Sequence, residues 1–306
     1  MDIRRLHAFV RIVDIGSITR ASVILRIAQP ALSQQIAALE THFGKQLLVR
    51  SKRGVVPTEA GKLLYRHGFK VLSQMEQAEL EIASSTEDLT GFVSVGLAPM
   101  GLGTLIGTRL ISAVREQFPG IVLHINENVG GGVISEMIMT GKMDAALIFD
   151  PGGIPGLAME QVTTEELYYV SMREGPEEIS LQDVVENDLV MPGRVHTIRQ
   201  VFETTLGRAS LKANVVAQTE SVSLLVGALS DRLGDTVLPL SAARAVVSRL
   251  PEARIARIRK PNMKITTSIC VSATLALSES ANAVREQMLK LVHDYLKAHT
   301  TDRPTP

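Results

Sequence analysis

Four side chains between residues 29 and 34 have the chemistry needed to read the edges of DNA bases: Gln29, Pro30, Ser33 and Gln34. Glutamine can bind an adenine edge through two hydrogen bonds, serine can bind any base, and a proline surface can contact a thymine methyl group. At helical spacing all four share one face. The alternative is an ordinary solvated helix face, and the surrounding elements decide between the two.

Two short helices would position that face. Ser17 can cap a first helix, whose apolar stripe is Ile18, Ala21 and Leu25. Pro30 suits the first turn of a helix, so a second helix should begin there after a tight turn at residues 26–28. Its apolar face lies opposite the polar one and comprises Leu32, Ile36, Leu39 and Phe43.

A third helix and a basic hairpin complete the amino-terminal pattern. Residues 1–13 predict an earlier helix, whose apolar stripe is Leu6, Val10 and Val13. Past Gly44, QLLVRSKRGVVPT predicts two short strands around a turn at residues 51–54. The tip of this wing would bind phosphates or a minor groove through Arg50, Lys52 and Arg53.

Charge is divided between two parts of the chain. Residues 1–68 carry eleven Lys and Arg against four Asp and Glu, a net of +7, whereas the other 238 residues carry 21 against 28, a net of −7. A basic module joined to an acidic body is typical of a DNA reader with a separate sensing part. The division favours DNA binding over a solvated helix face.

A family resemblance is carried by residues 16–61, GSITRASVILRIAQPALSQQIAALETHFGKQLLVRSKRGVVPTEAG. This segment resembles the winged helix-turn-helix of LysR-type transcriptional regulators. The motifs VDIGS, IAQPALSQQ, KRGVVPTEAGK and VSVGLAP are most similar to the nitrogen assimilation control branch of that family. The sequence departs from the usual pattern at Leu48, where Phe is common, and at Val49, which is often polar. Both departures should alter only the packing of the wing.

The resemblance implies a sequence-specific regulator of transcription that binds double-stranded DNA and contacts RNA polymerase. It implies that bases or phosphates are faced by Thr19, Gln29, Pro30, Ser33 and Gln34. Arg50 and Arg53 would then hold the DNA backbone.

A long helix should follow Thr58, a natural N-cap, and run to about Leu89. Its apolar residues recur in alternating fours and threes, which favours a coiled coil with a second subunit over packing against its own domain. The seam comprises Leu64, Gly68, Val71, Met75, Ala78, Ile82 and Leu89, with a gap at Ser85. The resemblance implies the same homodimer, often paired into a homotetramer. Two-fold symmetry then predicts an operator that is an interrupted inverted repeat.

From Gly91 onward, strands alternate with helices. FVSVGL, IVLHINE and DAALIF predict a βαβαβ unit with a parallel sheet, and ELYYVSM, LVMP, NVVAQ, DTVLP and TTSICVSA predict further strands. We therefore expect an α/β multidomain chain, with a winged helix-turn-helix at residues 1–58, a linker helix at 59–89 and an effector-binding domain at 90–306. The resemblance implies that this last domain is periplasmic-binding-like, with one lobe at about 91–164 and 264–300 and the other at about 165–263.

Open parallel sheets bind ligands beyond the carboxyl ends of their strands. That rule predicts an effector cleft lined by loop residues Pro99, Met100, Gly101, Thr104, Asn128, Gly130, Phe149, Arg194, His196, Thr197, Thr219 and Ser221. Helix starts at Gly101, Thr197 and Ser221 would direct backbone amides at a small carboxylate. Arg194 or His196 could add charge. Ordinary surface loops are the open alternative.

The first of these loops reads APMGLG, Ala98 to Gly103, and offers no side-chain hydroxyl at the helix start. Its donors are backbone amides alone. We therefore expect that the cleft binds its effector weakly, or that the protein works without one and is controlled by its abundance.

The sequence gives no indication of export, membrane insertion or catalysis. It opens without a charged-then-apolar leader and has no apolar run of spanning length, so we expect a cytoplasmic protein. The lone Cys270 is expected in the core, and the seven histidines show no metal-ligand spacing. Ser-His-Asp order, a nucleophile elbow, paired catalytic carboxylates and a phosphate loop are missing from the sequence. We expect neither an enzyme nor a bound cofactor.

The strongest rival is an NAD(P)-binding oxidoreductase joined to a DNA reader. GLGTLIG, Gly101 to Gly107, follows a strand and opens a helix, and Glu127 ends the next strand. The match fails because Ile106 stands where the third glycine is required, and because Ala-Pro-Met pushes the glycines past the tight turn. A DNA-bending architectural protein without a sensor role is a third alternative. It would leave the acidic part of the chain without a function.

Overall fold

The computed structural model describes residues 2–51, 54–83, 89–127, 131–259 and 261–299. The chain forms two structural units, which we call the amino-terminal unit (residues 1–87 with 139–142) and the body (residues 88–138 with 143–306). In the described ranges, no helix combines the length and the apolar character needed to cross a membrane.

Three short helices of the amino-terminal unit are fixed by their caps. They are α1 (Ile3–Ile15), α2 (Ile18–Leu25) and α3 (Gln29–Phe43). The predicted cap at Ser17 is confirmed, because its side chain accepts a hydrogen bond from the Arg20 amide at 3.3 Å. Gly16 and Gly44 end α1 and α3 in the left-handed region that glycine tolerates. α3 begins one residue before the predicted start at Pro30.

The three helices share one hydrophobic core. Its buried members include Val10, Ile18, Ala21, Leu32, Ile36 and Leu39, and Val13 and Leu25 are partly buried against it. Phe43 was predicted among them, and that prediction is wrong. This ring is 40% exposed because it lies on the last residue of α3, at the edge of the core.

The wing is a two-stranded antiparallel hairpin of β1 (Leu48–Ser51) and β2 (Gly54–Pro57). Ser51 pairs with Gly54, as the predicted turn requires. Leu48 is buried at the base of the hairpin, whereas Val49 is 45% exposed. The Val55 amide donates a hydrogen bond to the Gly16 carbonyl at 2.9 Å, which attaches the wing to the junction of α1 and α2.

A long helix, α4 (Glu59–Ala83), follows the wing and packs on α1. Thr58 caps it by accepting a hydrogen bond from the Gly61 amide at 3.0 Å. Two glycines permit the close packing: a Cβ at Gly61 would overlap the Leu47 carbonyl oxygen, and one at Gly68 would lie 2.7 Å from Leu6 Cδ1. Gly68 therefore serves contacts within its own unit rather than the predicted seam.

Leu89 was predicted to close the seam of this helix, and that prediction is wrong. The residue lies outside the helix and packs against the core of the body, since it directly precedes a buried strand. Ser85, the predicted gap in the seam, falls outside the described residues.

The body is built from alternating strands and helices. In chain order they are β3 (Thr90–Leu97), α5 (Leu102–Gln117), β4 (Gly120–Asn126), α6 (Gly131–Thr140), β5 (Ala145–Phe149), β6 (Leu157–Ser171), β7 (Glu178–Ile179), α7 (Leu181–Val185), β8 (Asp188–Met191), α8 (Thr197–Arg208), β9 (Asn214–Gln218), α9 (Val222–Ser230), β10 (Thr236–Pro239), α10 (Leu240–Arg249), β11 (Arg254–Ile258), β12 (Lys264–Ser272) and α11 (Glu279–His299).

One eight-stranded sheet runs through the body in the order β4-β3-β5-β12-β6-β11-β7, with β10 also paired to β6. β3 is parallel to both β4 and β5, which confirms the predicted βαβαβ unit. β10 and β11 are antiparallel to β6, and β8 and β9 form a separate parallel pair. The sequence patterns did not indicate β7 and β11.

Two hydrophobic cores divide the body into two lobes. The first packs α5 and α11 on β3 and β5, with Leu97, Leu110, Val284 and Met288 buried. The second surrounds β6, β8, β10 and α8, with Tyr169, Phe202, Leu225 and Leu238 buried. The long strands β6 and β12 pair with each other and run from one core to the other. Cys270, on β12, is fully buried as expected, and burial raises the pKa of its thiol to about 12.

Tyr169 and Asp235 form a hydrogen-bonded pair of ionisable side chains in the second core. The Tyr169 hydroxyl donates a hydrogen bond to Asp235, whose side chain also lies 3.8 Å from Arg173 Nε. The Asp235 backbone bridges to β8, because its amide donates to Asp188 and its carbonyl accepts from Val190. The pair therefore fixes β6, β8 and the start of β10 together.

Candidate nucleic-acid interface and effector cleft

The outer face of α3 carries the side chains predicted to read bases. Gln29, Pro30 and Gln34 are exposed and Ser33 is half-buried, while Leu32 on the opposite face is fully buried. The core thus fixes the helix and leaves a short, neutral, hydrogen-bonding face outward. Such a face has the size and chemistry for a major groove.

The other predicted DNA-binding residues lie on α2 and the wing. Thr19 is exposed in the first turn of α2, where its carbonyl accepts a hydrogen bond from the Ser22 hydroxyl at 2.8 Å. Arg50 is exposed on β1. Lys52 and Arg53, predicted beside it, fall outside the described residues. Contact of any of these side chains with DNA stays a prediction.

The predicted dimer seam divides into two parts along α4. Leu64 is partly buried against the core of its own unit. Val71, Met75, Ala78 and Ile82 are exposed, and Ile82 reaches 85%. The second half of α4 therefore exposes the predicted seam residues, whereas Leu64 in the first half packs against the core of the amino-terminal unit.

The start of α5 forms one wall of the predicted cleft. Gly101 is its N-cap and no side chain caps the helix. The Phe149 ring covers this position so closely that a Cβ at Gly101 would lie 2.5 Å from Cζ. Met100 adopts a φ of 58°, and Pro99 is half-buried beside it. The Thr104 hydroxyl is buried without a hydrogen-bond partner among the residues that the structure describes.

The loop before α8 brings His196 against Phe149, with 5.7 Å between the ring centroids. His196 Nδ1 accepts a hydrogen bond from the Ile198 amide at 3.3 Å and so caps α8, which begins at the predicted Thr197. Burial lowers the pKa of His196, with Glu220 opposing the shift. The ring is therefore neutral near neutral pH and supplies no positive charge to a carboxylate.

At the start of α9, two side-chain hydroxyl oxygens accept hydrogen bonds from nearby backbone amides. Thr219 Oγ1 accepts from the Ser221 amide at 3.0 Å, and Ser221 Oγ accepts from the Leu224 amide at 3.3 Å. Glu220 Oε1 accepts from the Gly193 amide at 2.9 Å, which joins this loop to the one before α8. Two of the three predicted amide cradles are thus already capped by the protein itself.

Three of the predicted cleft residues remain. Arg194 is exposed. Asn128 and Gly130 lie outside the described residues. Because His196 is neutral near neutral pH, Arg194 is the member of this predicted pair that carries positive charge.

A small apolar pocket lies between α5 and the helices α9 and α10. Met100, Gly101 and Thr104 line one side of it. The other lining residues were not predicted from the sequence; they are Val222, Leu225, Leu238, Ala242, Ala245 and Val246. Their helical spacing was visible in the sequence, but such spacing signals a core face as readily as a pocket wall. Apart from Thr104, the side chains that line it are apolar.

The glycines of GLGTLIG serve helix packing. Gly101 lies under Phe149, and a Cβ at Gly103 would lie 2.7 Å from the Ala98 carbonyl oxygen. Close packing therefore accounts for these two glycines without a pyrophosphate, which a dinucleotide fold would hold at this helix start. Within the described ranges, no group of three or more His, Cys, Asp or Glu side chains could hold a metal ion.

A winged helix-turn-helix, a long helix with an exposed apolar stripe and a two-lobed α/β body define a class of protein: DNA-binding transcription regulators with a separate sensing domain. The chain belongs to the LysR family of this class. Residues 3–62 match the family model "Bacterial regulatory helix-turn-helix protein, lysR family", and residues 88–292 match "LysR substrate binding domain".

Known proteins refine this assignment. The chain is 39% identical over 293 residues to the "Nitrogen assimilation regulatory protein nac" of Klebsiella aerogenes, with 95% of each chain covered. Among solved structures it resembles a full-length OxyR variant from Pseudomonas aeruginosa, with a TM-score of 0.70, 20% identity and coverage of 96% of this chain and 95% of that chain. It also resembles full-length CbnR complexed with its target DNA, with a TM-score of 0.53, 18% identity and coverage of 95% and 100%. The resemblance to the nitrogen assimilation branch is confirmed, and the oxidoreductase alternative gains no support.

Proposed function

We propose that this LysR-type regulator controls genes of nitrogen or small-metabolite use in the cytoplasm. It reads interrupted inverted repeats as a homodimer or homotetramer and contacts RNA polymerase there, without catalysis of its own. The similarity to a protein named for the regulation of nitrogen assimilation supports the choice of genes. The exposed apolar stripe of α4 supports the dimer.

The observation that carries the DNA-reading step is the division of α3 into two faces. Leu32, Ile36 and Leu39 are at most 1% exposed, while Gln29 and Gln34 face solvent. A helix held this firmly can present its polar face to base edges without reorganising. Loss of the Gln29 side chain should therefore relax sequence preference by about 1 to 3 kcal/mol, the value of one bidentate base contact.

The test is a selection of bound fragments from genomic DNA of the source organism. It compares the intact protein with a Gln29→Ala, Ser33→Ala double variant and with a Ser73→Ala, Gln74→Ala control, whose residues are exposed on α4. We expect the intact protein and the control to recover an interrupted inverted repeat, and the α3 variant to lose it. Recovery of the same motif by all three proteins would remove α3 from the reading surface.

We also infer that the interlobe cleft binds any effector weakly or works without one. The Ser221 hydroxyl caps its own helix, and the Thr219 hydroxyl accepts from the Ser221 amide. His196 is neutral, and Phe149 covers the start of α5. A small carboxylate would have to displace these groups before it met free amides, at a cost in affinity.

Thermal unfolding in the presence of nitrogen metabolites and small carboxylates tests this second proposal. A ligand at 100 times its dissociation constant would stabilise the native state by about 2.7 kcal/mol. We expect no shift of that size at physiological concentrations. A clear shift that disappears in a Thr104→Val variant would show a working effector site and contradict the proposal.

A further inference from the structure

The turn between α2 and α3 contains a strained arginine. Arg26 has a φ of 55°, in the left-handed region that disfavours side chains with a Cβ. Its amide donates to the Ser22 and Val23 carbonyls and ends α2, a position that glycine or asparagine usually takes. An arginine in this conformation costs free energy that glycine at the same position would not.

Arg26 differs from the other basic side chain of the two helices. Between Gly16 and Gly44 the arginines are Arg20 and Arg26, and no lysine is present. Arg20 Nη2 donates to the Ile15 carbonyl at 2.8 Å. The Arg26 side chain is exposed and makes no hydrogen bond or ion pair with any part of the chain that the structure describes. Its charge is therefore available to a partner outside the protein.

The position of Arg26 identifies the partner. It lies three residues before Gln29, at the end of α3 that carries the proposed base-reading residues. Ala28 is the N-cap of α3 and provides no capping side chain, so the positive end of the helix dipole is unmasked beside Arg26. An anion that flanks the first bases read by α3 would meet both features, and on a duplex that anion is a phosphate.

We propose that Arg26 is a phosphate anchor that fixes the register of α3 on DNA, and that the strained turn is retained to aim it. This inference rests on the proposed role of α3. Arg26 adds affinity for every sequence, whereas Gln29 adds preference among sequences.

Salt dependence of DNA binding tests the anchor. Binding of labelled duplexes of about 30 base pairs, one with the selected motif and one of random sequence, is measured from about 50 to about 200 mM salt. We expect Arg26→Gly to lower the slope of log affinity against log salt by about 0.9 for each DNA-bound protomer, on both duplexes. Arg26→Lys should keep the slope, since it keeps the charge.

Arg232→Gly is the matched control. Arg232 is also an exposed arginine with a φ of 55°, but it follows α9 in the body. Its replacement removes the same charge and the same strain and should leave the slope unchanged.

Thermal unfolding is the control for stability. Arg26→Gly should unfold at the parent temperature or above it, because glycine relieves the strain. A smaller slope of log affinity against log salt then cannot be ascribed to unfolding.

An Arg26→Gly slope equal to that of the parent would overturn the anchor. If the Gln29→Ala, Ser33→Ala variant still loses the motif in that case, α3 remains the reader and only the role of Arg26 is wrong. If the parent itself selects no motif, the proposed function fails first.

Discussion

Gly54 of the wing lies against the carbonyl of Gly16, the residue that joins α1 to α2. A Cβ at Gly54 would be 2.6 Å from the Gly16 oxygen, and Gly54 has a φ of 127°. The adjacent Val55 amide donates to the same oxygen at 2.9 Å. One carbonyl thus sets the position of the wing relative to the helix-turn-helix.

We predict that Gly54→Ala weakens DNA binding more than it weakens the fold elsewhere. The new Cβ meets the Gly16 carbonyl and an unsuitable φ together, a cost of about 1 to 3 kcal/mol that displacement of the wing can relieve. Gly44→Ala is the control, because Gly44 has a φ of 62° but nothing within 4 Å of its Cβ position. Affinity for a selected operator should fall in the first variant only. Equal affinities would show that wing position does not matter.

A second prediction concerns association. Replacing Met75 and Ile82 together by serine should raise the dimer dissociation constant about tenfold or more, since burial of one large aliphatic side chain is worth about 1.5 to 3 kcal/mol. Sedimentation equilibrium gives the constant directly. Leu63→Ser is the control, because Leu63 is 50% exposed on the same helix but off the predicted seam. A larger effect from Leu63 would place the partner on another face of α4.

A third prediction follows from Glu165, on β6 at the junction of the two lobes. Ser241 donates two hydrogen bonds to its carboxylate, from the amide at 2.8 Å and the hydroxyl at 3.0 Å. Burial nevertheless raises the pKa of Glu165 above its ordinary value. In the pH range from that ordinary value up to the raised one, the folded state binds more protons than the unfolded state, so this group makes stability fall as pH rises.

Glu165→Gln should therefore gain stability relative to the parent as pH rises from about 4 to about 7, because the amide is neutral throughout. Urea unfolding at several pH values measures the difference. Glu166→Gln is the neighbouring control, in which an ion pair with Arg257 at 3.3 Å is lost and no such gain is expected. A Glu165→Gln curve parallel to the parent curve would show that the carboxyl titrates normally.

A fourth prediction concerns the buried pair of Tyr169 and Asp235. Tyr169→Phe removes the hydroxyl that donates to Asp235 and leaves a buried carboxylate short of a donor, at a cost of about 1 to 3 kcal/mol. Tyr295→Phe is the control, since the Tyr295 ring is also buried and stacks on His299, but its hydroxyl donates no hydrogen bond to the described residues. Chemical unfolding should separate the two variants. Similar losses would assign the effect to ring packing.

Local periodicity predicted much of the fold because the relevant forces act within a few residues. The Ser17 cap, the buried face of α3 and the βαβαβ unit follow from side chains near one another in sequence. β11 was missed because the arginines in it and beside it look incompatible with a half-buried strand. Arg257 and Arg259 are neutralised by Glu166 and Glu178, which are 91 and 81 residues away, and no local pattern reveals such pairs.

The predicted cleft shows the same limit. The loops were predicted from the rule that open parallel sheets bind ligands beyond the carboxyl ends of their strands. Helices begin at Leu102, Thr197 and Val222, close to the predicted starts. Whether a hydroxyl faces a ligand or its own helix depends on rotamers that the sequence does not encode locally. Thr219 and Ser221 were predicted to line the cleft, and their hydroxyl oxygens are found to accept hydrogen bonds from the Ser221 and Leu224 amides. Their role toward an effector stays a prediction.

The close contacts at Gly61 and Gly68 attach the first half of α4 to the helix-turn-helix. They bring the helix into close contact with Leu47 and Leu6, so that no side chain at either glycine separates it from the helix-turn-helix. With 25 residues, α4 is about 37 Å long, so a tilt of about 10° at one end displaces the other by about 6 Å, nearly two base-pair steps. A small change in the tilt of α4 would therefore shift the attached helix-turn-helix by a distance comparable to the spacing of base pairs.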